Sequence, residues 1–294
     1  MEYRNRVNTI FTTVFGDHIR KKFESVILSL AGLGFLIHLL LIALKANEVY
    51  FLTDTNSSLL NDPITAIYTP FSLILIYEVY LLVFYLPRSF TSCVSKQFEI
   101  ISLIVIRKIF KDIPLMDLKG NWHLSQHNLE LLVDLFGFLF LFLLIFFFNK
   151  GKNKFPKKEV IDPKLLKFIN SKKIVSLVLL TLLVSASIYS LATWSLNLYN
   201  DRFVNNIDSV FFNQFFTLLI LTDVIILLIS FRYTEEYSKL IRNTGFIIAT
   251  ILIRLSFSAD GFLNIILILT GVIFALLILQ IYNAMEDSKP DSTL

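Results

Sequence analysis

The chain contains one cysteine, four histidines, seven prolines and nine glycines in 294 residues, and only 17% of its residues are charged. The single thiol, Cys93, excludes an internal disulfide framework and offers no metal-ligand spacing. So few glycines and prolines leave no room for a long low-complexity linker. No glycine-rich phosphate loop, zinc-protease motif or nucleophile elbow occurs, and no polar segment is long enough to fold into a domain with an active site. An enzyme is not expected, nor a cofactor or a metal. Two channel signatures are missing as well: the arginine at every third position that a voltage sensor needs, and the TVGYG potassium filter.

Hydrophobic residues make up 55% of the chain, Phe alone numbers 29, and the mean hydropathy is +0.68. Soluble domains run at about 45–50% apolar and about 25% charged, so both departures point toward lipid. Seven of the phenylalanines fall between Phe136 and Phe148. A hydrocarbon core of about 30 Å takes roughly 20 apolar residues to cross as a helix. Runs of that kind predict spans near 24–45, 64–86, 97–113, 128–148, 173–199, 209–231, 243–259 and 261–283. The third and seventh are short and carry charge, but dropping either would put its flanking loops on the wrong side. The expected fold is an all-α integral membrane protein of about eight transmembrane helices in two parallel four-helix repeats. Residues 1–149 form the first unit, 150–172 a basic cytoplasmic linker and 173–294 the second unit.

Basic residues set the orientation. With eight spans, 20 of the 27 Lys and Arg lie on the side that holds the amino terminus. Four (Lys45, Lys111, Lys119, Arg202) lie opposite, and three (Arg107, Lys108, Arg254) sit within spans. Both termini are therefore expected in the cytoplasm, and the net charge of +4 needs no nucleic acid to explain it. The opposite loops are acidic, with Glu48, Asp54, Asp62, Asp201 and Asp208. The leader is too charged, and the first apolar run too long, for a cleaved signal peptide. Residues 9–24 read either as a short amphipathic helix on the inner leaflet or as a plain charged lead-in. Besides the bilayer itself, the lysines of 150–173 are expected to meet anionic lipid headgroups or a cytoplasmic protein. Heavy use of Phe, Ile, Asn and Lys suits an AT-rich genome, and a bacterial inner membrane is the expected location.

The two halves repeat one another. Phe71-Ser-Leu-Ile-Leu-Ile-Tyr-Glu78-Val79 in the second span matches Phe216-Thr-Leu-Leu-Ile-Leu-Thr-Asp223-Val224 in the sixth at an offset of 145. Arg107 in the third span matches Arg254 in the seventh at an offset of 147, and an aspartate follows each, Asp112 and Asp260. Four spans per unit keep both copies in the same orientation, which makes the repeat parallel.

From Phe216 to Tyr282 the chain resembles the phosphate-starvation-inducible E (PsiE-like) family of small four-helix bacterial membrane proteins. The resemblance is carried by the acid within a span, by Ile248-Ala-Thr-Ile-Leu-Ile-Arg254-Leu, by Asp260 and by a closing aliphatic helix. Glu78, Arg107 and Asp112 keep the same order in the first half. That half departs through a longer loop, 113–128, with Trp122, His123 and His127. The resemblance covers about three of the four helices in each unit. It implies architecture and brings no biochemical activity with it.

Depth brings the charges together. At 1.5 Å per residue each acid lies about 12 Å, and each arginine about 15–16 Å, from the cytoplasmic end of its span. The arginine side chain closes that gap, so Glu78 with Arg107 and Asp223 with Arg254 are expected ion pairs. Asp134 in the fourth span is a candidate further partner of Arg107. An unpaired charge at the bilayer centre costs about 2.5–3.5 kcal/mol on insertion scales, which favours pairing. Such pairs either fix helix register or serve ion or proton passage. His38 reads as a hydrogen-bonded packing residue, and His123 with His127 lack a third ligand for a metal. Small residues (Ser25, Ser29, Gly32 and Gly34; Ser185, Ser187 and Ser190) suit close helix contacts. Two functions follow as expectations: a small-ion or proton channel or transporter using the pairs, or a non-conducting sensor, anchor or scaffold that docks a partner through its linker.

Overall fold

The computed structural model describes residues 2–47, 63–113, 126–153, 163–199, 207–259 and 261–288. Among these residues the fold is helical throughout, without strands. In chain order the helices are α1 (Glu2–Val14), α2 (Asp17–Ala46), α3 (Tyr68–Phe84, entered through a 3-10 turn at Pro63–Ile67), α4 (Phe90–Asp112) and α5 (Gln126–Lys152). They continue with α6 (Pro163–Tyr199), α7 (Ile207–Tyr233), α8 (Tyr237–Ser256) and α9 (Phe262–Asp287).

Local chemistry explains the breaks. Gly16, in extended geometry, ends α1 and opens α2, whose first turn carries Asp17 and whose last carries Lys45, each matched to the helix dipole. Pro87 cannot continue a helix, and Ser89 restarts the chain by accepting a hydrogen bond from the Ser92 backbone N–H at 3.3 Å. Between α8 and α9 the chain turns on Gly261 at φ +59°, a left-handed conformation that a side chain would strain.

Six helical stretches are long and apolar enough to cross a membrane, within α2, α3, α5, α6, α7 and α9. Their outward faces carry large exposed hydrophobics such as Leu36, Phe136, Leu139, Phe142, Ile188 and Leu228. This is the surface of a membrane-embedded helical protein. The two expected spans outside that group, α4 and α8, sit in the middle of the bundle. α4 packs against α3, α5 and α8, and α8 packs against α7, α9 and α4. A helix surrounded by other helices faces little lipid, so it tolerates the polar residues that keep its mean hydropathy low.

Packing is tightest where glycines let helices approach. A Cβ on Gly271 of α9 would stand 2.7 Å from Ile253 Cγ1 and 2.9 Å from the Ala249 carbonyl oxygen of α8. Gly137 of α5 is likewise filled by Ile265 of α9. The bundle thus joins at α5 with α9 and at α4 with α8, with α3 touching α6 at one side.

Two expected boundaries move. α6 starts at Pro163, a favoured first helical position, so most of the expected linker 150–172 is helix. Its other end, through Lys152, belongs to α5. Residues 9–24 do not form one helix. They divide at Phe15–Gly16, and Phe15 is buried against Tyr80 and Phe84 of α3. The expected outer-loop acids Glu48, Asp54, Asp62 and Asp201, together with Trp122, His123 and Asp260, lie outside the described residues.

Candidate intramembrane charge site

Arg107 and Lys108 are consecutive on α4, about 100° apart around its axis, and so face different neighbours. Arg107 turns to α3, where its Nη2 lies 3.3 Å from Glu78 Oε2 and its Nη1 donates to the Phe71 carbonyl at 3.1 Å. Lys108 turns to α5 and sets its Nζ 2.9 Å from Asp134 Oδ2. One helix turn therefore ties α4 to both sides. Asp134, the candidate further partner of Arg107, has the next residue along as an ion-pair partner, because the helix rotation points Lys108 at α5.

Exposure is graded across this cluster. The side chains of Glu78 and Asp134 are 3% and 4% exposed, that of Arg107 13% and that of Lys108 36%. The carboxylates are sealed while the lysine reaches the surface, as a long amphipathic side chain can.

The second pair differs. Arg254 Nη1 of α8 stands 2.5 Å from Asp223 Oδ2 of α7, with side-chain exposures of 2% and 3%. One turn earlier on α8, Thr250 Oγ1 lies 2.9 Å from the same Oδ2 and 2.9 Å from the Ile247 carbonyl, two acceptors for its one hydroxyl proton. Arg254 Nη1 and Nη2 are buried with no aligned hydrogen bond, so charge holds this contact. Asn243 Nδ2 donates to Ser230 Oγ at 3.0 Å and gives α7 and α8 a second polar link. Sequence reasoning missed Lys108 and Thr250. Both stood in view, one beside an arginine and one a helical turn from the other.

His38 Nδ1 lies 2.6 Å from Thr69 Oγ1, which ties α2 to α3. Among the described residues no cluster of three or more His, Cys, Asp or Glu side chains is arranged to hold a metal.

Several linker lysines turn inward. Lys172 is buried, donates to the Arg88 carbonyl, and lies 4.7 Å and 5.5 Å from the ring centres of Phe90 and Phe168. Lys173 donates to Asn8 Oδ1 at 2.8 Å and sits over Phe11, which fixes α1 against α6. Lys152 donates to Ser95 Oγ at 2.9 Å, and Lys164 pairs with Glu235 at 2.8 Å. Lys154, Lys157 and Lys158 lie outside the described residues.

No family model, curated protein or solved structure matches this chain.

Proposed function

We propose that the chain is a small-ion or proton channel or transporter whose eight long helices cross the bacterial inner membrane as two parallel repeats, with both termini in the cytoplasm. The observation that carries this reading is a buried acid–base contact between the second and third helices of each half: Glu78 with Arg107, and Asp223 with Arg254. The first half adds a Lys108–Asp134 contact at the same level of α4. Charges in lipid are costly, and a bracing role alone is met as well by apolar packing of similar volume. Carboxylates on two helices brought against one helix between them suit a polar path better.

The repeat is supported by the way the halves meet, since third helix packs on third helix and fourth on fourth. Resemblance to the PsiE-like family belongs with this proposal and rests on the residues quoted for it. A docking scaffold is the less favoured reading, because three lysines of 150–173 (Lys152, Lys172 and Lys173) are already engaged within the molecule. Purified protein in liposomes tests the function. Transport predicts flux of sodium, potassium, chloride or protons above empty vesicles, reduced by Glu78→Gln in folded protein. Equal flux in all samples rejects it.

A further inference from the structure

The two acid–arginine pairs match in sequence position but differ in how firmly each carboxylate is held. Asp223 Oδ2 has the Thr250 hydroxyl, which it shares with the Ile247 carbonyl, at 2.9 Å and a guanidinium at 2.5 Å, and both partners are sealed. Glu78 Oε2 is buried, receives no hydrogen bond, and meets its guanidinium at 3.3 Å. Arg107 divides its donors between that oxygen and the Phe71 carbonyl, so it keeps a partner if Glu78 is neutralised. The position equivalent to Thr250 at the arginine's offset is Leu103, which has no hydroxyl to offer.

The surroundings of Glu78 isolate it further. α3 packs against α2, α4 and α6. On α2, Arg20 and Glu24 pair with each other, Tyr77 donates to Glu24, and His38 bonds to Thr69. On α6, Lys172 is spent on the Arg88 carbonyl and Lys173 on Asn8. On α4, Lys108 serves Asp134. Among these charges, Arg107 is the one in ion-pair contact with Glu78.

We propose that Glu78 is a proton-binding site and that Asp223 is a fixed strut. A proton from aqueous hydronium converts the Glu78 carboxylate to the acid and releases Arg107 to the Phe71 carbonyl, while Asp223 keeps its closer contact with Arg254. The inference takes its purpose from the transport reading above, but its test does not depend on flux.

The test is pH-difference infrared spectroscopy on the full chain in lipid, read in the carboxylic-acid carbonyl region. The expected result is a band that grows on acidification, vanishes in Glu78→Gln, shifts in Glu78→Asp and persists in Asp223→Asn. The Glu78→Asp variant keeps a carboxylate, so the assignment does not depend on the folding of the glutamine variant alone. A band that survives Glu78→Gln, or one that Asp223→Asn abolishes in folded protein, overturns the proposal. A Glu78 band in a protein without flux would leave this site standing and reject transport.

Discussion

Lys108 reaches Asp134 across the α4–α5 contact, one residue beyond the arginine that holds Glu78 across the α3–α4 contact. The two contacts make α4 the electrostatic axis of the α3–α5 helices. They also make the removal of one partner unequal to the removal of the other.

Lys108→Met leaves the Asp134 carboxylate buried and uncompensated, a change that costs about 3–5 kcal/mol for buried pairs. Asp134→Asn leaves a lysine whose side chain is 36% exposed and whose long stem can carry the ammonium toward the membrane interface, so a smaller loss is expected. The double change Lys108→Met with Asp134→Leu should recover most of the loss. Thermal unfolding of all three variants in one detergent checks the order.

Thr250→Val keeps the shape and removes the hydroxyl that donates to Asp223. A loss of about 1–3 kcal/mol is expected for the stranded acceptor, with Thr250→Ser close to wild type. Unfolding midpoints separate the two. An equal fall in both would mean that packing, and not the hydrogen bond, holds α7 to α8.

Gly271→Ala should destabilise by about 1–3 kcal/mol, because its Cβ would press on Ile253 and on the Ala249 carbonyl. Gly32→Ala meets nothing within 4 Å and should be neutral or stabilising by up to about 1 kcal/mol. Measured side by side, the pair tests whether the α8–α9 contact is as tight as described.

Much of this fold was legible because lipid imposes length and hydrophobicity on each helix. Long helices lie where apolar runs of spanning length predicted them, and six, in α2, α3, α5, α6, α7 and α9, are long and apolar enough to cross a membrane. The start of α6 was not legible, since Lys164, Lys167, Lys172 and Lys173 read as solvated linker while Pro163 and packing make them helix. The partner of Asp134 was missed for a related reason. Depth along a helix can be counted from sequence, but direction around it needs the neighbour's position, and only the packed bundle supplies that. The His123–His127 reading falls partly outside the described residues, so the structure adds nothing to it.

Orientation can be checked with single-cysteine reporters in a background where buried Cys93 is replaced by alanine. A membrane-impermeant maleimide added to intact cells should label Lys45→Cys and spare Lys150→Cys. The reverse pattern would invert the proposed topology.

The central claim is that the intramembrane carboxylate of Glu78 takes part in ion passage. Its most direct test is proton uptake into liposomes holding a potassium diffusion potential, measured for wild type, Glu78→Gln and Asp223→Asn, each monodisperse before reconstitution. The account expects wild-type vesicles to acidify well above empty ones, Glu78→Gln to fall to the empty-vesicle rate, and Asp223→Asn to retain flux in whatever fraction folds. Wild-type uptake no faster than in empty vesicles, or full uptake by Glu78→Gln, would contradict it.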